Sequence, residues 1–435
     1  MSQPQAYNTW GTPNNTVGNL NGLFKETYDS QLHLLIPDGV KLLNMIKFGS
    51  KEKMPGNLFH SPVILGLEHG ITFASSTDDA FNLMPPIAGQ IKDAQVRGSP
   101  AVLRSVLGYT AAARAAQGNA QSFMDATKFL VANMLRSMAK KIEIEMFYGG
   151  NTQLTGASTG SSQATGQGYG IVDSGSSGST IIVQVSSWAP GIWAGAENMP
   201  IEVRDYTGAT VRGSATVLSV DFSSYTITLS NAISGLTQYD VIWHLGAYGN
   251  EFTGVNQILG ITSGTLFNIN VGTYNLFRGN QYAAGGALSF GKLNLATVRA
   301  VEKGLEGKVS CFVNPRGWAN MLNDQAALRK YDGSWSRKRL ENGSEALTFY
   351  AQNGEIEIIP SLYVKEGLSF ILCLEDFMRV GSTDITFKRP GQADNFFRDL
   401  DSAAGYELRC FTDQALFCMA PGRQVCISGI VNQTS

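Results

Sequence analysis

The chain has 435 residues, room for two or three domains and a large core, and its 33 Lys plus Arg against 35 Asp plus Glu give a net charge of −2. That balance excludes a global basic field for nucleic acid and an acidic solvating tail. Only 16% of residues are charged where about 25% is usual, 43% are hydrophobic and 48 are glycine; an exterior so sparing of charge points to a subunit largely covered by partners in an assembly.

Residues 1–22 are rich in Asn, Gln, Gly and Pro and nearly free of charge, a composition that stays extended unless another surface orders it. The opening MSQPQAYNTWGTPNNT has neither a basic nor an apolar signal region, and the longest hydrophobic stretch, 368–374, is far short of a bilayer span. Synthesis in a cytoplasm, with no membrane partner, is the expectation. A broken helix follows, with Leu32, Leu35 and Ile36 before Pro37 and Val40, Leu42, Leu43 and Ile46 after it. Residues 56–107 read as a long hairpin: extended arms at 61–67 and 90–108 meet at a polar tip, Ser75-Ser76-Thr77-Asp78-Asp79. Such a hairpin has too little core to stand alone and should lie on a neighbour.

The clearest helix is predicted over 119–148, where Phe123, Ala126, Leu130, Met134, Met138, Ile142 and Met146 recur every three or four residues and Gly149-Gly150 end it. Residues 151–178 form a Gly/Ser/Thr/Gln tract read as a flexible linker. From 180 to 244 short alternating strands (181–185, 201–204, 215–220, 225–229, 241–243) predict a small antiparallel β-barrel or sandwich inserted in the main domain. A second helix over 288–303 stops at Gly304, and a strand at 309–313 runs to the breaker Asn314-Pro315. A helix over 318–328 and strands at 356–360 and 368–374 follow, so that helices and strands share one α+β unit. The last 50 residues read as sheet, at 384–388, 406–412, 415–419 and 424–430.

Motifs for chemistry are weak. Gly156-Ala157-Ser158-Thr159-Gly160 has the spacing of a nucleophile elbow, but it lacks the strand before and the helix after that would expose the serine. His33, His60, His69 and His244 are scattered, and the nine-residue separation of His60 and His69 fits neither a zinc helix nor a strand pairing with nearby carboxylates. No phosphate-cradling glycine loop occurs. Cys311, Cys373, Cys410, Cys418 and Cys426 are odd in number and contain no C-x-x-C, so reduced, mostly buried thiols are expected. Adjacent Asp78 and Asp79 on a polar tip are solvated and do not make an acid/base pair; their functional use would be a charge contact with a neighbouring subunit. The only concentrated positive charge is Arg329, Lys330, Arg337, Lys338 and Arg339, interrupted by Tyr331 and Trp335. Arginine with aromatic side chains suits nucleic acid; a solvated loop or an intersubunit salt-bridge patch are the alternatives. No catalytic residue, cofactor or metal is predicted.

The order of these parts resembles the tailed-bacteriophage major capsid proteins of the Hong Kong 97 fold. The likeness is carried by the hairpin running into 104–108, the helix ending Ile144-Glu145-Met146-Phe147-Tyr148-Gly149-Gly150, the segment Asn275-Leu276-Phe277-Arg278-Gly279-Asn280, the stretch 309–322 with Asn314-Pro315, and Gly354-Glu355-Ile356-Glu357-Ile358-Ile359-Pro360. The resemblance implies an N-terminal arm (1–55), an extended loop (56–107), and a peripheral domain with the long spine helix (108–150) that is continued at 246–285 and by strands at 384–435. It also implies an axial domain (286–383), with 151–245 as an added β domain. It implies hexamers and pentamers in an icosahedral shell around double-stranded DNA, with portal and scaffolding proteins as partners and a cement protein left open, weak non-specific contact with the DNA, and assembly in the host bacterial cytoplasm. Some members weld their shells by Lys–Asn bonds; Lys92 lies on the hairpin, but no acceptor is identified and no crosslink is predicted. A chain this short before its arm is expected to shed no scaffolding segment. Other virion components, such as a tail tube or decoration protein, and an encapsulin-like shell holding protein cargo are the rival readings.

Overall fold

The computed structural model describes residues 39–53, 57–78, 80–110, 126–150, 168–323, 338–339, 345–352, 354–388, 397–401 and 403–432. The arm expected over 1–22, the first half of the broken helix, the start of the long helix at 119–125 and the GxSxG tract lie outside these residues.

Of the broken helix, only one turn is described, α1 (Leu42–Met45), because Ile46 is already extended and β1 (Phe48–Lys53) follows at once. β2 (Phe59–Gly66) and β3 (Gln90–Val96) pair antiparallel, Phe59 opposite Val96 and Gly66 opposite Gln90, as the hairpin reading requires. The second arm is two strands, however, not one. At Arg97-Gly98 the chain leaves the hairpin, and β4 (Ser99–Gly108) pairs over its whole length with a strand three hundred residues away. α2 (Ala126–Tyr148) buries Met134, Met138, Ile142 and Met146, the stripe set by the three-four spacing. Its 23 residues span about 35 Å. The helix ends at two glycines for a steric reason: a Cβ on Gly149 would lie 2.5 Å from the carbonyl oxygen of Phe252, and Gly150 has φ +112°.

The predicted linker over 151–178 is corrected at its end. Tyr169, Ile171 and Val172 are fully buried, and β5 (Gly170–Ile171) is a strand, because this short apolar run breaks the polar tract and has a sheet to enter. β6 (Thr180–Ile182), α3 (Pro190–Trp193), β7 (Pro200–Arg204), β8 (Val211–Asp221), β9 (Thr226–Leu229) and β10 (Val241–His244) follow. The strands lie in the order β5-β10-β7-β8-β9-β6. Val172 and Val183 bridge the two ends, with Asp173 N donating to the Ile182 carbonyl at 2.8 Å and Gln184 N to that of Ile171 at 2.8 Å. The sheet therefore closes on itself, which decides barrel over sandwich. Inward positions Ile181, Ile201, Val203, Val217, Ile227 and Ile242 have no exposed surface, and Trp188 stacks on Trp193 at 5.9 Å.

After the barrel come α4 (Val255–Gly260), the small ribbon β11 (Thr265–Leu266) and β12 (Ile269–Asn270), β13 (Asn280–Gly286), α5 (Phe290–Val301) and β14 (Val309–Val313). Ser289 caps α5 by accepting from Lys292 N, and Gly304 at φ +88° follows its end. The helix expected at 318–328 starts earlier, as α6 (Pro315–Leu322), and the last part of that expectation, 324–328, lies outside the described residues. Asn314-Pro315 is not a breaker but a start: the Asn314 side chain accepts from Arg316 N, and proline at the first helical position has no N–H to leave unpaired. β15 (Lys338–Arg339), β16 (Glu345–Ala351), β17 (Gly354–Pro360), β18 (Ser369–Leu372), β19 (Phe377–Thr386), β20 (Phe397–Asp399), β21 (Gly405–Cys418) and β22 (Val425–Ile430) complete the chain.

These form two further sheets. One is mixed, in the order β13-β22-β18-β14-β17-β16-β15, and α5 packs Leu293, Ala296 and Ala300 into its core with Cys311, Ile356, Ile371 and Ile427. The other is β1-β19-β21-β20, with β4 also on β21. Hydrogen bonding thus cuts across the expected boundary at 383. β22, grouped with the final peripheral strands, sits between β13 and β18, where its run Val425-Cys426-Ile427 is buried. β19 begins at 377 and belongs with β21, which is one long strand rather than two. All five cysteines are buried free thiols, as expected; burial pushes Cys311 and Cys426 up to about 12, which keeps them protonated.

Candidate assembly surfaces and the polar frame behind them

The hairpin is anchored at its base and bare beyond it. Phe59 packs edge-on against Phe417 of β21 at 5.6 Å, Gln95 N donates to the Phe267 carbonyl at 2.9 Å, and Lys92 sits 5.8 Å from the Tyr274 ring. Farther out, Ile64, Leu67, Ile71, Phe73, Phe81 and Leu83 are exposed, Phe73 at 91% and Leu83 at 80%. Apolar side chains in such number on one projecting element mark a surface meant for another surface. The tip is polar and self-contained: Ser75 N donates to Asp78 Oδ2 at 3.0 Å while Asp78 N donates back to the Ser75 carbonyl at 3.1 Å. Asp78 is exposed and holds its own turn; Asp79 lies outside the described residues.

Arg329, Lys330 and Arg337 also lie outside the described residues. Lys338 and Arg339 form β15, paired with Ala346 and Glu345 of β16. Among the described residues, Asp78 therefore stands on the hairpin tip and Lys338 and Arg339 on β15. The structure corrects the reading of the histidines: His60 Nδ1 lies 2.7 Å from Asp93 Oδ2. The antiparallel register sets Asp93 opposite Pro62 and so diagonal to His60, a neighbour that chain spacing alone does not reveal.

Behind these surfaces, the C-terminal half of α2 carries buried ionisable groups the sequence reading did not single out. Glu143 Oε1 accepts from Lys41 N at 3.1 Å and Leu42 N at 2.9 Å, and Oε2 from Leu43 N at 2.7 Å. Burial pushes this carboxyl up to about 7 against the pull of those three donors. Glu145 accepts from Phe252 N at 2.7 Å; burial, then repulsion from Glu251, raises it well above the carboxylate range. Lys141 reaches the Tyr169 hydroxyl at 3.2 Å, and burial takes its amine down to about 7. The fully buried Lys365 donates through Nζ to the Gly168 carbonyl at 3.0 Å and lies over the Tyr148 ring at 4.2 Å, and burial lowers it to about 7. Its loop also takes the barrel by the backbone, with Gly191 N donating to Leu362 O at 2.9 Å, Glu366 N to Trp188 O at 3.0 Å and Gly367 N to Ser186 O at 2.8 Å. These groups tie α2, the barrel and the mixed sheet into one frame. The signal in sequence is faint, two acids in the apolar run Ile142-Glu143-Ile144-Glu145-Met146 and one lysine between Val364 and Glu366.

Among the described residues no group of three His, Cys, Asp or Glu could hold a metal ion, and no helix is long and apolar enough to cross a membrane. Neither a protein-family model nor a curated protein sequence matches the chain. Solved structures do. The cyanophage A-1(L) capsid asymmetric unit aligns over 96% of this chain and 99% of the other, with 10% identity and a TM-score of 0.53. A Mycobacterium phage Bobi structure aligns over 96% and 99% at 9% identity with a TM-score of 0.49. The holo-SrpI encapsulin complex of Synechococcus elongatus PCC 7942 aligns over 98% and 99% at 9% identity with a TM-score of 0.46. The chain thus has the mixed α+β, Hong Kong 97-like fold of a phage capsid.

Proposed function

We propose that this chain is the major capsid protein of a tailed bacteriophage, a subunit that assembles through hexamers and pentamers into an icosahedral shell around double-stranded DNA. The observation that carries the reading is the fold shared, over almost the full length of both chains, with the cyanophage A-1(L) capsid asymmetric unit. Two features support it from physical chemistry. The hairpin exposes apolar surface that only a partner can cover, and the low overall charge lets like subunits approach closely. Its work is assembly, by many modest contacts repeated over a closed surface.

In this reading residues 56–107 lie across a neighbouring subunit, α2 is the spine of the peripheral domain, the mixed sheet with α5 and α6 is the core of the axial domain, and the barrel is an added domain. Asp78, Asp79 and the cluster Arg329, Lys330, Arg337, Lys338 and Arg339 are candidates for contacts between subunits. The partners are further copies of the chain, portal and scaffolding proteins, and packaged DNA held by weak non-specific contact. The site of action is the virion, assembled in the host bacterial cytoplasm.

Electron microscopy of the chain expressed alone and with its genomic neighbours tests this. Closed icosahedral shells, or hexamers and pentamers, are expected, with DNA inside when packaging proteins are present. A discrete monomer or an open tube overturns it, and shells filled with protein cargo assign an encapsulin-like compartment instead.

A further inference from the structure

Residues 39–53 join the two parts of the chain read as assembly elements, the N-terminal segment before them and the hairpin after them; Lys41 Nζ donates to the Pro360 carbonyl at 2.5 Å, and two further sites hold the segment. At the first, one buried carboxylate, Glu143, accepts three consecutive backbone N–H groups, those of Lys41, Leu42 and Leu43, at 3.1, 2.9 and 2.7 Å. These are orphan donors at the start of α1, which normally fall to a residue of the same segment. Here they fall to a side chain a hundred residues away, on the long helix α2, and no cap comes from Lys41 itself. At the second point, Arg379 of β19 donates to the Ile46 carbonyl at 3.4 Å and stacks 5.7 Å from the Phe48 ring. Its guanidinium is aimed by Gln414, at 2.8 Å from Nε and 2.6 Å from Nη2, and by Asp384.

Between these points little else is fixed by backbone. A four-residue helix has no stability of its own. The parallel pairing of β1 with β19 holds Phe48 opposite Arg379 but Lys53 opposite Gly381, five residues against two, so the ladder is broken. Leu42, Leu43 and Ile46 are buried, and burial alone is non-directional; the direction comes from Glu143 and Arg379.

We propose that Glu143 and Arg379 form a two-point latch on residues 41–48, which sets from α2 how the chain enters at Gly39 and from the five-stranded sheet how it leaves β1 toward the hairpin, so that opening the latch redirects both together. The latch is a positioning device and rests on the capsid reading for its purpose. Its geometry does not. Lys41 and Arg379 are the charged groups facing Glu143, and both favour its ionised, accepting form.

The test is amide hydrogen exchange on the free, unassembled subunit, followed by assembly of the same preparations. In E143Q the amides of 41–43 should exchange at least roughly tenfold faster, the scale of losing hydrogen bonds to a charged group, while β14 and β17 keep their protection and shell yield falls. In R379K, which keeps the charge but loses the fork, faster exchange should centre on 46–48. Unchanged exchange at 41–43 in E143Q overturns the latch, and so does fast exchange with a normal yield of shells. If E143Q does not fold, R379K decides alone: unchanged exchange at 46–48 overturns the proposal. A wild-type subunit that shows the expected exchange pattern but makes no shell refutes the capsid reading and leaves the two-point attachment standing.

Discussion

The barrel and the hairpin are made of the same material, short antiparallel strands with apolar side chains at alternate positions, but only the barrel completes its own core. In the barrel, β5 and β6 find each other through the Val172–Val183 bridge, and Ile181, Val203, Val217 and Ile227 lose all contact with solvent. In the hairpin, β2 and β3 have each other and nothing more beyond the base, so Ile64, Leu67, Phe73 and Leu83 face outward. Two strands cannot bury a face, whereas six closed strands bury one completely. The contrast teaches where the subunit is unfinished. A region that satisfies itself can be carried as a domain, while a region that exposes the same residue types depends on a surface from outside.

The largest effect should come from making the hairpin polar. The triple variant L67S, F73S, L83S is expected to leave the melting temperature of the free subunit unchanged within error and to abolish shells in electron micrographs, because these side chains make no contacts within the chain worth losing. If the free subunit is destabilised as a core variant would be, the comparison fails, and the hairpin is part of the fold after all.

The next effect belongs to the barrel. Trp193 has no exposed surface and stacks on Trp188 at 5.9 Å. W193A should cost about 3–5 kcal/mol, measured by denaturant unfolding, with the loss of amide protection greatest in β5 to β10. A loss spread evenly to the mixed sheet would mean that the barrel and its frame unfold as one unit.

Much of this contrast was legible in the sequence, and what was not has a physical cause. Period-two alternation located β7 to β10 to within a few residues, and the three-four stripe located α2, because both periods are properties of a single segment. The hairpin arms were legible for the same reason. Pairing partners were not: β4 leaves the hairpin for β21, and β22 enters the mixed sheet, through long-range hydrogen bonds that no local pattern encodes. Asn314-Pro315 misled because the same pair that ends a strand also starts a helix. The buried Glu143 and Lys365 were illegible because an acid or amine in sequence reads as surface. His60 and Asp93 are adjacent only in the register of two paired strands.

A smaller effect, dependent on pH, separates the two regions again. His244 at the end of β10 is held down to about 4, first by burial and then by the Lys141 charge. A histidine with a lowered folded value contributes stability that is full above about 6.5, its ordinary value, and is lost as pH falls toward 4. Amides of β7 and β10 should therefore lose protection between pH 6.5 and 4 while those of β2 and β3 do not follow the same curve. H244Q should flatten the barrel's profile over that window. An unchanged profile in H244Q would assign the acid response to another group.

The smallest effect is the one that best sharpens the comparison. His60 and Asp93 face each other at 2.7 Å near the hairpin base, both about half exposed, and Gln95 Nε2 adds a second donor to Asp93 at 2.9 Å. Those hydrogen bonds, from Gln95 first and His60 next, hold the Asp93 carboxyl below its ordinary range. Water competes for every one of these groups in the free subunit, and an exposed pair is worth little there. H60A should accordingly leave its melting temperature unchanged. Covering the hairpin with a neighbour removes that water and strengthens the same contact, so the variant should lower the disassembly midpoint of shells in denaturant although it does nothing to the monomer. A midpoint equal to wild type would mean that the base of the hairpin stays wet in the assembly and that the covered surface begins farther out, at Leu67 and beyond.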